Sequence, residues 1–344
     1  MKKRMVLLLA TAAVVSSACA SSVTRSEGSA ETLRLGIFPN LTHAPGYVAQ
    51  GSGILEEALA PTNVETTVFN SGTDAGNALL AGSIDATYIG PGPAASLFVQ
   101  SQGNVAVVSG AVSGGASLIV RKGTNIDGPE DMPGAKVGVP GIGNTQDIAL
   151  RAWLHDNGLE AQDAGGDVPV LEVDNTELLQ LFRAGDLDAA WEPEPYPSLL
   201  VAEGLAEVYI DEASLWPDGD FVTTHLLLNR TYMDAHPEVV RKLVQANVEA
   251  IELIGSDPDR AKEIAKQGLA DAGAPELASE VVDAAWDKLT FTWDPVVSSF
   301  QQGFQTAVEL DYLEPTDDIL DIYNLGPLNE VLADKDLEPI QVAA

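Results

Sequence analysis

Two segments of this chain follow one plan at nearly the same internal spacing, and that duplication limits the folds open to it more than any other feature. Leu33-Arg34-Leu35-Gly36-Ile37-Phe38 and Ala135-Lys136-Val137-Gly138-Val139-Pro140 both read as buried strands, since each is a short apolar run that ends at turn signals. Each leads through a loop into a helix start, marked by Pro45 in the first copy and Thr145 in the second. Farther on, Ala81-Gly82-Ser83-Ile84-Asp85-Ala86 is echoed by Ala184-Gly185-Asp186-Leu187-Asp188-Ala189. Both read as a helix ended by glycine, then an aspartate-bearing turn into a strand, with the aspartate in capping and turn chemistry. Gly36 precedes Asp85 by 49 positions, and Gly138 precedes Asp188 by 50. The exits match too: Gly90-Pro91-Gly92-Pro93 follows the first copy and Glu192-Pro193-Glu194-Pro195 the second. Strand and helix signals alternate from residue 33 to 210, which predicts an α/β protein of two lobes with a cleft between them.

After residue 220 the pattern changes. Residues 221–228 read as a strand, and helices then open at His236-Pro237 (running to about Ile254), Pro258 and Pro275. A helical tail cannot be a third copy, so it is expected to return to the first lobe. Lobe 1 is then residues 31–112 and 222–344, and lobe 2 is residues 113–221. The chain crosses between them near residues 111–115 and 219–223, where glycines suit hinges.

The N-terminus predicts export. Lys2, Lys3 and Arg4 precede an apolar run, residues 5–15, that is too short to span a bilayer and has signal-peptide proportions. Residues 1–18 are read as that signal. Cys19, the single cysteine, then has two readings. It is the lipidated first residue of a lipoprotein with residues 19–30 as a tether, although Ser16 departs from the aliphatic residue usual there. Otherwise Ala18-Cys19-Ala20 is an ordinary cleavage site and the product is soluble. Lipidation is preferred because residues 21–30 read as a flexible tether; either way Cys19 is no disulfide partner or catalytic thiol.

Eighteen Lys and Arg stand against 51 Asp and Glu. Without clustered basic side chains nucleic acid is not expected as a partner, and the acidity reads as solubility. No phosphate-loop motif occurs, and Gly141-Ile142-Gly143 lacks the third glycine of a dinucleotide fingerprint. There is no G-x-S-x-G elbow, and His43, His155, His225 and His236 are scattered without metal-ligand spacing. Catalysis, a cofactor and a metal are therefore not expected.

What remains is a helix start suited to an anion. In "GVPGIGNTQDIALRAWL" Asn144 reads as an N-cap with Asp147 as its capping-box partner. Backbone N–H groups of Gly143, Thr145 and Gln146, with the Thr145 hydroxyl, would then face out of the helix toward a negative group. Similar starts follow other strands at Asn40-Leu41-Thr42-His43-Ala44-Pro45, at Gly90-Pro91-Gly92-Pro93 and at Trp191-Glu192-Pro193-Glu194-Pro195. All lie at the carboxyl ends of predicted strands, where open α/β sheets bind ligands. Tyr88 and Trp191 read either as cleft walls or as core.

These pieces, "LGIFPNLTHAP", "AGSIDATYIGPGPA", "GVPGIGNTQDIALRAWL", "WEPEP" and "LWPDGDFVTTHLLLN", occur in an order that resembles the solute-binding proteins of nitrate, sulfonate and taurine importers. The resemblance implies a type II periplasmic binding protein fold that closes on a small-molecule ligand and delivers it to an ABC permease and its ATPase. It implies that loops at Thr42, Gly92, Asn144-Thr145 and Trp191 face the ligand. The candidate ligand-binding set is Asn40, Thr42, His43, Gly92, Ser113, Gly115, Gly143, Asn144, Thr145, Gln146, Trp191 and Glu192. A monomer held to the membrane by its lipid alone is expected. Glu192 and Glu194 fit an anion site poorly. They read as solvent-facing turn residues, or else Glu192 meets the ammonium of an aminosulfonate. Two rival readings are an aromatic ligand such as a pyrimidine, stacked by Tyr88, Trp191 and Trp216, and an enzyme on the same fold.

Overall fold

The computed structural model describes residues 32–342, so the signal-peptide, tether and Cys19 readings lie outside the described residues. The strands in chain order are β1 (Thr32–Ile37), β2 (Asn63–Val68), β3 (Ala86–Ile89), β4 (Val105–Gly114), β5 (Ala116–Arg121), β6 (Val137–Val139), β7 (Val170–Glu172), β8 (Ala189–Pro193), β9 (Ala206–Asp211), β10 (Val222–Asn229) and β11 (Leu289–Phe291). They form two sheets, ordered β11-β4-β10-β3-β1-β2 and β7-β6-β8-β5-β9. Each contains a parallel trio in the order second, first, third: β2-β1-β3 in one and β7-β6-β8 in the other. A strand that has just arrived from the other sheet closes each trio antiparallel, β10 beside β3 and β5 beside β8.

The paired aspartates hold corresponding places. Asp85 Oδ2 accepts from the Arg34 backbone N–H at 2.9 Å, and Asp188 Oδ2 accepts from the Lys136 backbone N–H at 3.1 Å. Each carboxylate thereby anchors the first strand of its trio, and each also binds an arginine, Arg34 and Arg121 respectively. The glycines that end the preceding helices, Gly82 and Gly185, have φ of 69° and 76°.

The crossing from β4 to β5 is made by Gly114 and Gly115, with φ of 80° and 77°, a region in which a Cβ is strained. The return passes through Asp218 and Gly219 into β10, and the Thr223 hydroxyl ties both crossings by donating to Gly114 O at 2.8 Å.

The tail joins the six-stranded sheet through β11, which pairs with β4, and through helix Pro237–Ser256, which packs on helices Ala44–Gly51 and Ile54–Leu59. Two details depart from expectation. The helix expected at Pro275 starts at Ser279, because Leu277 is drawn into the core and Ala278 is extended. The tail also touches the five-stranded sheet's side: helix Ser279–Trp286 packs on helix Tyr196–Ala202, and helix Val297–Glu309 on both Pro91–Gln100 and Thr145–Asp156. No helix among the described residues is long and apolar enough to cross a membrane.

Candidate functional site

The carboxyl ends of both parallel trios point at one another across a polar cavity of about 30 Å³, room enough to hold ordered water. Asn40, Thr42 and His43 come from the loop after β1, Asn70 and Gly72 from that after β2, and Gly90 and Pro93 from that after β3. Asn144, Thr145 and Gln146 come from the turn after β6, Asn175 from that after β7, and Pro193 from β8. The two halves are closed on each other. Leu41 N–H donates to Glu194 O at 2.8 Å, the Tyr196 hydroxyl to Pro39 O at 2.7 Å, and Asn70 Nδ2 to Asp174 Oδ2 at 3.1 Å. Gly92 N–H donates to Thr145 Oγ1 at 3.3 Å. Gly90 allows this approach, since a Cβ there would stand 2.4 Å from Thr145 Oγ1.

The lining is polar without formal charge. Burial pushes the His43 imidazole down to about 3, so it is neutral at physiological pH. Its Nδ1 accepts from the Phe38 N–H at 3.3 Å, which places the ring proton on Nε2 as a donor. Phe38 stacks on the ring at 4.6 Å and holds its plane. The Thr42 hydroxyl donates to Asn40 Oδ1 at 2.7 Å, turning the Asn40 amide so that its NH2 is the outward group. Asn144 and Asn175 are 5% and 2% exposed, yet the Oδ1 of each has no hydrogen-bond partner. Buried amides without partners are costly, and both are on the cavity wall.

The turn at Asn144 differs from the expected capping box. Asn144 stands at the N-cap, but its side chain makes no cap hydrogen bond. Asp147 Oδ2 instead accepts from Gly143 N–H at 2.7 Å, and Asp147 Oδ1 pairs with Arg151 Nε at 2.7 Å. The Gly143 N–H is thus consumed inside the turn and does not face a ligand, while the Asn144 amide is released toward the cavity.

Other residues of the expected set lie elsewhere. Trp191 is fully buried in the core of the five-stranded sheet, its Nε1 donating to Glu212 Oε2 at 2.7 Å, and so does not wall the cleft. Tyr88 is also core, with its hydroxyl donating to Asn247 Oδ1. Glu192 and Glu194 are both fully buried, so neither is a solvent-facing turn residue. Glu192 is not on the cavity wall. Neither oxygen of its carboxyl nor the hydroxyl of its cross-strand neighbour Ser117 has a hydrogen-bond partner, and burial pushes the Glu192 pKa well above the usual carboxylate range. Glu194 joins the halves: Oε1 takes Lys288 Nζ at 2.8 Å and Oε2 takes Ser198 N–H at 3.2 Å. Gly92 borders the site only through its N–H on Thr145. Ser113 lies within β4 between β10 and β11, and Gly115 packs on Leu289 at the crossing.

Asn70 and Asn175 were missed by reading helix starts alone. The signal for them is the repeat itself, because both follow the second strand of a trio, β2 and β7. Phe38 and Thr223 carry no signal of their own, being an apolar strand end and a strand threonine.

Two lobes of matching topology, joined by two crossings and closed over a polar seat at their strand ends, define the periplasmic binding protein fold. The chain belongs to the NMT1-like family, whose model matches residues 26–269. The taurine-binding periplasmic protein of Escherichia coli K12 is 24% identical over 216 residues, covering 62% of this chain and 64% of its own. A provisionally named binding protein of Brucella abortus is 27% identical over 237 residues, 65% of this chain and 70% of its own. The crystal structure of the periplasmic nitrate-binding protein NrtA from Synechocystis PCC 6803 superposes with a TM-score of 0.76 at 17% identity, covering 88% of this chain and 89% of that one.

Proposed function

We propose that this chain is the substrate-binding component of an ABC importer, capturing a small sulfonate-type anion or zwitterion (an aliphatic sulfonate, taurine or a nitrate-like ion) and passing it to the permease without turnover. Lobe 1 (residues 31–112 and 222–344) and lobe 2 (residues 113–221) open about the crossings at Gly114-Gly115 and Gly219 to admit it. The chain works outside the cytoplasmic membrane as a monomer, held there by lipid on Cys19. The observation that carries the reading is the pair of buried amides of lobe 2, Asn144 and Asn175, whose Oδ1 atoms have no partner and which line the same cavity as the neutral His43 of lobe 1. Rotation about the last side-chain torsion lets each amide present its NH2. Neutral fixed dipoles in a closed seat favour an anion without a formal counter-charge. No carboxylate lines the cavity, so the negative end of the ligand is held by neutral donors and an ammonium, where there is one, is not paired with Glu192.

Isothermal titration with nitrate, ethanesulfonate and taurine tests this. At least one is expected to bind one to one, with no product formed on prolonged incubation. Asn144→Ala is expected to weaken that binding roughly 10-fold to 100-fold, the worth of a hydrogen bond to a charged group. Its unfolding midpoint should hardly move, because the amide makes no hydrogen bond within the protein. Failure of all three ligands to bind, or unchanged affinity in the variant, would overturn the proposal.

A further inference from the structure

On the other side of the Thr145–Gly92 contact lies a second cavity, of about 220 Å³, which the polar seat does not use. Helices Pro91–Gln100 and Val297–Glu309 wall it from lobe 1, and helix Thr145–Asp156 with the turn Glu212–Leu215 from lobe 2. Its surface is mostly aromatic and aliphatic. Trp216 and Phe221 lie stacked on one side, 5.8 Å apart and 8° from parallel, while Trp153, Phe300 and Phe304 contribute further aromatic wall.

One buried acid interrupts this apolar wall. Glu212 is 1% exposed and is held by two indoles: Trp191 Nε1 donates to Oε2 at 2.7 Å and Trp216 Nε1 to Oε1 at 3.3 Å. Two of the carboxylate's roughly four acceptor positions remain after those bonds. Burial lifts its pKa to about 7, the indole bonds opposing, so Glu212 exchanges its proton near neutrality. A cationic N–H group placed beside it would favour the ionised form.

We infer that this interlobe cavity is a second binding site, taking a small aromatic amine whose ring packs against Trp216 and Phe221 and whose ammonium pairs with Glu212. Size agrees with the class: an apolar cavity of about 150 Å³ accommodates benzene, and the present one adds room for a short amine-bearing arm. The walls come from both lobes, so a molecule here favours the closed arrangement by its differential affinity for it.

Benzylamine is the probe, with toluene and cyclohexanol as controls for apolar filling alone. Titration calorimetry on the whole chain is expected to show one benzylamine site, with both controls at least 10-fold weaker. Glu212→Gln, which keeps an acceptor for an indole, should reduce benzylamine affinity roughly 10-fold or more, the worth of a charge-assisted hydrogen bond. Gly303→Leu provides the second arm. Gly303 sits on the cavity wall within helix Val297–Glu309, and a Cβ there meets nothing within 4 Å. The leucine fills the cavity without breaking the helix, so it should abolish benzylamine binding while circular dichroism and the unfolding midpoint show a folded chain. Absence of benzylamine binding, equal binding of toluene, or full binding to Gly303→Leu would overturn the inference.

Discussion

Replacing Arg151 with alanine is expected to cost about 3–5 kcal/mol of folding stability, the range seen when one partner of a buried ion pair is removed. Arg151 is 5% exposed and Asp147 fully buried. The guanidinium binds Asp147 Oδ1 at 2.7 Å and both oxygens of Asp163 at 2.7 and 2.8 Å, and it lies 5.0 Å from the Tyr312 ring centroid of the tail. Burial outweighs even these partners at Asp147, whose pKa stays above its ordinary value. Without Arg151 that carboxylate has only the Gly143 N–H to hold it and must protonate or take up water. Asp163, more than half exposed, loses far less. The double variant Asp147→Asn/Arg151→Met should recover most of the loss, since it removes both charges. Urea unfolding with linear extrapolation measures all three. A loss below about 1 kcal/mol, the worth of a surface pair, would show that the network is not buried as described. Ligand affinity should fall with Arg151→Ala as well, because Asp147 shapes the turn that releases the Asn144 amide.

Acid should destabilise this chain through two buried histidines. Burial pushes His43 down to about 3 and His225 to about 4, from an ordinary value of 6.5. A group whose folded pKa lies below its unfolded one contributes stability that is complete above the unfolded pKa and is lost as pH falls through the folded one. The window is therefore from pH 6.5 down to about 3 for His43 and about 4 for His225. At about 1.4 kcal/mol per pKa unit the losses are on the order of 5 and 3 kcal/mol. Glu212 acts in the opposite sense. Its pKa is raised from 4.5 to about 7, so its contribution is present below 4.5 and lost as pH rises through about 7. The histidine effect is isolated by comparing unfolding free energies of the native chain, His43→Gln and His225→Gln at pH 7.5, 5.5 and 4.5. Each variant is expected to flatten the acid slope. Parallel curves for all three proteins would mean that neither histidine is held neutral by the fold.

Much of the architecture was legible in the residues. The two strand–glycine–aspartate copies have their signals within a few positions of each other, and Asp85 and Asp188 do tie corresponding strands. The glycines at 114 and 115 mark the crossing because the backbone there needs positive φ. Of the expected site residues, Asn40, Thr42, His43, Asn144, Thr145 and Gln146 come together at one cavity. The chemistry of Asn144 was not legible. Local spacing makes it a capping residue, whereas Asp147 takes the neighbouring N–H once Arg151 and Asp163 hold the aspartate in place. Trp191 and Glu192 were misplaced for a related reason: strand alternation says that neighbours face opposite ways, but not that both faces of β8 are buried.

By itself the sequence determined the duplicated α/β plan, the helix starts at the strand ends and the glycine crossings, all of which depend on propensities and hydrogen bonds between near neighbours. Tertiary structure alone decided which polar groups are left unsatisfied. Asn70 meets Asp174 across 104 positions, and Tyr196 meets Pro39 across 157. Contacts of that range set burial, and burial makes His43 neutral, raises the Glu192 pKa and leaves two asparagine amides on a shared polar cavity with unpartnered oxygens.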